Sequence, residues 1–186
     1  MSCRSLCWTL WLSAVLTSAL TAQLKEDEQA LVPAQVVGSA NVGREVAVAG
    51  DLAVLGAPTD AGLANLAGAA VVFERSAGVW SEIARLVASD GASGDVCGTA
   101  VAASGEVVVV GARQDDDQGT TSGSVFVFER VGGAFVEVQK LTASDGATFT
   151  AFGSSVALDG DTLVVGATGD DAAGFFAGAA YVFERV

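Results

Sequence analysis

The sequence predicts an all-β protein made of β-propeller-type blades, each of four antiparallel strands, in about three 55-residue repeats. Three observations carry this. Val72-Phe73-Glu74-Arg75 returns as Val127-Phe128-Glu129-Arg130 and again as Val182-Phe183-Glu184-Arg185, a step of 55 residues each time. Glycines keep the same step, as in Gly43, Gly98 and Gly153, in Gly56, Gly111 and Gly166, and in Gly68, Gly123 and Gly178. Within each repeat, short apolar runs are separated by glycine turns with no 3.6-residue periodicity, which argues for strands and against a helical solenoid.

Taken in order, the chain begins with Met1 to Ala22, which reads as a secretory signal peptide. Arg4 supplies the positive start, Leu6 to Leu20 the apolar stretch, and Ala22 before Gln23 the cleavage point. An uncleaved anchor is the competing reading; the run is short for a membrane span and is interrupted by Ser and Thr. Cleavage removes Cys3 and Cys7, leaves Cys97 alone, and so excludes an intrachain disulfide. Residues 23–186 are then the repeat region, with copies near 41–95, 96–150 and 151–186.

The middle copy shows the strands most clearly. Gly98–Ser104 is a first strand of small residues, and Gly105 turns it into the β-branched Glu106–Ala112. A polar loop, Arg113–Ser122, leads to Gly123–Arg130, where Val125 and Val127 alternate with Phe126 and Phe128 as a strand with two different faces would. Gly132-Gly133 opens the fourth strand, Ala134–Leu141. Leu24 to Ala34, anchored on Leu31 one period before Leu86, is expected as a lone fourth strand. The count is then twelve strands: that one, two full sets, and a first-to-third set at the end.

These repeats resemble FG-GAP repeats, the blade unit of integrin α-subunit propellers and of many secreted bacterial proteins. Phe152-Gly153 and Gly56-Ala57-Pro58 keep the two naming motifs. Val42-Gly43, Cys97-Gly98, Gly111-Ala112-Arg113 and Gly166-Ala167-Thr168 depart from them. The resemblance spans Asn41 to Arg185. In many members the hairpin between the first two strands holds calcium in a D-x-D-x-D-G-x-x-D loop. Here that hairpin is reduced to Gly50-Asp51, Gly105-Glu106 and Gly160-Asp161, too few oxygens for the six to eight that calcium takes. No metal and no cofactor is expected.

Composition narrows the function classes. Hydrophobic residues make up 51% of the chain, which argues against disorder, and histidine is absent, which removes Ser-His-Asp and Cys-His catalysis. A net charge of −13 disfavours nucleic acid and anionic membrane surfaces as partners. The acids concentrate in the loop between the second and third strands: Asp60, then Asp115, Asp116 and Asp117, then Asp170 and Asp171. Asp60, Asp115 and Asp170 are one period apart, so they are expected on one rim, joined there by Asp90, Asp95 and Asp145. That rim is the candidate ligand-binding face; the competing reading is a solvated acidic surface that maintains solubility. Cys97 takes an apolar repeat position and reads as a buried, inert thiol. Glu74-Arg75 and its copies read as strand ends that pair charges with a neighbouring strand.

Three blades cannot ring a central axis. The frame nevertheless begins and ends where closure of a ring would require, so the chain either stays open or pairs with another copy, six blades being the simplest sum. Apolar blade faces exposed at both ends favour association, and a homo-oligomer is expected. The functional expectation is a secreted, non-enzymatic protein acting in binding or adhesion through its acidic loop face. Its extracellular ligand is unidentified, and no membrane insertion follows signal cleavage. A hydrolase using rim carboxylates, or an inactive propeller remnant, is the alternative.

Overall fold

Short apolar runs divided by glycine turns become eleven strands in three antiparallel sheets in the computed structural model, which describes residues 28–186. The expected signal segment and residues 24–27 lie outside the described residues. The first sheet joins β1 (Val46–Ala49), β2 (Leu52–Ala57), β3 (Ala69–Ser76) and β4 (Val79–Leu86) in chain order. The second repeats it with β5 (Ala100–Ser104), β6 (Val107–Ala112), β7 (Ser124–Val131) and β8 (Ala134–Leu141). The third has β9 (Phe152–Asp159), β10 (Thr162–Ala167) and β11 (Ala179–Glu184). Propeller-type blades of this kind are what the period implied, and the set does not close.

The meander follows from the turns. Ala77 and Gly78 both take positive φ (50° and 82°), as do Gly132 and Gly133 (62° and 90°). That is the tight two-residue turn whose twist matches the flanking strands. The β3–β4 and β7–β8 pairs each carry a bulge at the same repeat position, Val72/Phe73 and Val127/Phe128.

The described part of the expected lone fourth strand, residues 28–34, is irregular, so the described residues hold eleven strands. A fourth strand exists by hydrogen bonding to a third, and among the described residues no third strand pairs with this segment. Its packing nonetheless follows the period. Leu31 sits against the cluster of Leu55, Val71 and Phe73. The Glu82 carboxylate accepts from the Ala34 N–H (2.6 Å), as Glu137 accepts from Ser89 N–H (2.8 Å) one period later.

Most of the core lies in two seams where sheets face one another, and a smaller cluster of Leu55, Val71 and Phe73 is covered by Leu31, Val36 and Val42. At the first, Leu52, Val54 and Val72 meet Val108, Val110 and Phe126. At the second, Val109 and Val125 meet Leu163, Val165, Tyr181 and Phe183, with the Phe152 ring edge-on to Tyr181 at 5.4 Å. The two faces of β7 therefore serve different seams, phenylalanines one way and valines the other. Each fully buried side chain of this size contributes on the order of 1.5–3 kcal/mol. Close approach of the sheets requires glycine: a Cβ on Gly56 would stand 2.2 Å from the Gly98 carbonyl oxygen, and one on Gly111 2.2 Å from that of Gly153.

Candidate functional site: the acidic loop rim

Three aspartates open the loops that follow β2, β6 and β10, and each makes the same local turn. Asp60 accepts from the Gly62 N–H (2.7 Å), Asp115 from Asp117 (3.2 Å) and Asp170 from Ala172 (2.9 Å). A short carboxylate that bonds the backbone two residues on is well suited to start such a loop. All three are buried, at 0%, 3% and 4% exposure, so they frame the rim from within and do not form its outer surface.

A buried carboxylate needs a partner, and the fourth strands supply it. Arg85 on β4 reaches Asp60 at 2.5 Å, and Asp60 also accepts from the Val37 N–H. Lys140 on β8, one period after Arg85, reaches Asp115 at 2.9 Å, Asp90 at 2.7 Å and Asp117 at 2.5 Å. Its ammonium also lies 5.1 Å above the Phe126 ring. Partial burial alone would lower the Lys140 pKa, but hydrogen bonds to Asp115, Asp117 and Asp90 outweigh it and hold the lysine above its ordinary range.

At the third loop the described residues include no fourth strand, and a different group takes the role. The Tyr181 hydroxyl lies 2.6 Å from Asp145 and 2.7 Å from Asp170. It has one proton and can donate to only one of them at a time. Burial first, then the two carboxylates, raise the tyrosine pKa. The same bond, helped by the Ala172 N–H, lowers that of Asp170.

The rim thus brings together the aspartates that the period placed there. Asp90, Asp115 and Asp117 converge on Lys140, and Asp145 meets Asp170 through Tyr181. Asp95 is buried, accepts from the Ala92 N–H (2.6 Å), and has its pKa raised by burial. Asp116, Asp117 and Asp171 are exposed, and Asp171 accepts from the Phe176 N–H (2.6 Å). Arg85, Lys140 and Tyr181 were not singled out from the sequence; the step of 55 between Arg85 and Lys140 was the available signal.

Among the described residues, no three His, Cys, Asp or Glu side chains form a metal-holding group. A largely apolar cleft of about 660 Å³ lies on the outer face of the first sheet, against Leu31, Val46 and Leu55. Two more, of about 390 and 590 Å³, open between β8 and β11 and at the β1–β2 and β5–β6 turns. None of the three is lined by a rim aspartate.

Cys97 is buried as expected, and burial pushes its thiol up to about 12. The repeated Glu-Arg pairs do join charges, within a sheet at Arg75–Asp51 (2.7 Å) and Arg130–Glu106 (3.7 Å), and also across the seams. Arg130 bonds Glu74 at 2.6 Å and Arg185 bonds Glu129 at 3.0 Å. The bond to Arg130 lowers the Glu74 pKa.

Sheets of this kind, stacked at a fixed period with loops gathered on one rim, define a repeat protein of propeller-type blades. The FG-GAP repeat model matches residues 80–128 and 135–183, again 55 apart, and the chain belongs to the FG-GAP repeat family. Each matched span starts at or just inside a fourth strand and ends in the third strand of the following sheet. The unit of the family therefore straddles a seam. No curated protein matches the sequence. FG-GAP repeats suggest a binding function, and the family is generally non-enzymatic.

Proposed function

We propose that this chain is a secreted, non-enzymatic binding module that contacts an extracellular partner, in adhesion or a related role, through the carboxylates exposed on its loop rim. The observation that carries the reading is the division of labour among the rim acids. Asp60, Asp115 and Asp170 are buried and fix the loops, whereas Asp116, Asp117 and Asp171 are exposed, Asp117 with one oxygen on Lys140 and Asp171 with one on the Phe176 N–H. A preorganised acidic face with a net charge of −13 behind it suits a basic protein surface, with association that weakens as salt rises. Export rests on the composition of residues 1–22.

The test is interferometry of the purified chain against a panel of secreted and cell-surface proteins, run beside the triple variant Asp116→Asn, Asp117→Asn, Asp171→Asn. A partner that loses at least about tenfold in affinity to the variant, mostly through faster dissociation or slower steered association, supports the reading. Partners whose binding ignores the triple variant contradict it. Calcium calorimetry adds a second check: the rim is expected to show no binding, because Lys140 already occupies the centre of its densest carboxylate group.

A further inference from the structure

Each internal seam is built from the same contacts, and the two outer faces carry the unmatched halves of one more set. At the first seam the N–H groups of Gly94, Val96 and Cys97 donate to the carbonyls of Asn65, Leu66 and Ala67. At the second, Phe149, Ala151 and Phe152 donate to Thr120, Thr121 and Ser122. One period further on, the acceptors are the carbonyls of Phe175, Phe176 and Ala177. One period back, the donors are the N–H groups of Ser39, Asn41 and Val42. Among the described residues none of these six groups has a backbone partner.

Charge and packing repeat the relation. Glu74 takes Arg130 and Glu129 takes Arg185 across the seams, which leaves Glu184 on the outer face of the third sheet and Arg75 on that of the first. Arg75 turns to Asp51 and Glu184 to the Thr162 hydroxyl, both within their own sheets. Val182 is 63% exposed, whereas Val72 two periods earlier is 0% exposed. Val46 is 65% exposed, whereas Val101 one period later is 7% exposed. The apolar cleft beside Val46 lies where a facing sheet would insert its valines.

We propose that these faces are two halves of one seam and that it forms between two copies of the chain. The β9–β11 sheet of each copy seats on the β1–β4 sheet of the other, reciprocally, in a closed pair of six sheets. The occupant is a second copy because this chain already presents the donors, acceptors, charges and valines in the spacing the contact uses. The Ala34–Glu82 bond holds the N-terminal segment as Ser89 is held by Glu137, so residues 28–31 of each copy would run beside β11 in the other. The inference stands apart from the proposed ligand, since it involves sheet faces and not the exposed rim acids.

Light scattering on the purified chain, at concentrations from submicromolar to hundreds of micromolar, tests it. A closed species of twice the chain mass is expected. Val182→Glu is expected to release a folded monomer with an unchanged far-UV circular dichroism spectrum. Glu184→Arg weakens the pair by setting it against Arg75, and the double variant Glu184→Arg, Arg75→Glu restores it. A folded wild-type monomer throughout, an open ladder of larger species, or a double variant no better than Glu184→Arg alone would overturn the proposal.

Discussion

The two internal seams use equivalent positions in their cores but different chemistry at their rims. At the first, one lysine gathers Asp90, Asp115 and Asp117. At the second, a tyrosine hydroxyl stands between Asp145 and Asp170. The fold requires only that the buried aspartate at the head of each loop be satisfied; a cation and a neutral donor both do so. The residual charge differs, and the second rim stays fully negative while the first is partly neutralised.

The largest effect expected concerns the shared core. Phe126→Ala empties a fully buried position at the first seam and costs about 3–5 kcal/mol, whereas Val182→Ala on the outer face, measured as a monomer, costs no more than about 0.5 kcal/mol. Equal losses in urea melts would show that the seams do not dominate stability. Next is the rim itself. Lys140→Met leaves three carboxylates facing one another, Asp115 among them buried, and is expected to destabilise by about 2–4 kcal/mol. Tyr181→Phe removes only a hydrogen-bond donor and is expected to lower the melting temperature less. The reverse order would break the comparison.

Acid sharpens it. Asp170 and Glu74 have pKa values lowered in the folded state, so their stabilisation is present above the unfolded carboxylate range and is lost as pH falls through their folded values. Asp95, with a raised pKa, acts in the opposite sense, since protonation relieves its burial. Melting temperature is expected to hold near neutrality and decline below about pH 4. In Tyr181→Phe, the share of that decline due to Asp170 shrinks. Among the charge pairs, a small effect is expected for Glu129→Ala, whose bond to Arg185 is partly exposed and worth less than about 1 kcal/mol by double-mutant cycle.

Much of the fold was legible because a strand repeat leaves its period in the sequence. The Val-Phe-Glu-Arg copies, the glycine steps and the glycine turns at Gly50, Gly105, Gly160 and Gly132-Gly133 fixed strand order and most boundaries; Ala134–Leu141 is β8 to the residue. The segment around Leu31 was read as a strand because Leu31 falls one period before Leu86, and Leu31 does pack against Leu55, Val71 and Phe73. What it lacks is a neighbour to bond, which a local pattern does not report. The rim was legible in location and not in exposure. Carboxylates at Asp60, Asp115 and Asp170 look like surface charge until their partners are known, and those partners lie some 11 to 25 residues away on other strands. The Glu-Arg pairs were read as joining charges to a neighbouring strand, which Arg75–Asp51 and Arg130–Glu106 do; the further contacts Arg130–Glu74 and Arg185–Glu129 cross a seam, which spacing along a strand does not show.

Amide hydrogen exchange at Asn41 and Val42 tests most directly whether the outer faces are a seam like the two inside. Val96 and Cys97, one period on, donate across the first seam and are expected to be slow at every concentration. Asn41 and Val42 are expected to exchange fast when dilute and to approach the protection of Val96 and Cys97 as the chain is concentrated. Fast exchange at both residues at all concentrations, with Val96 and Cys97 still protected, would contradict the account.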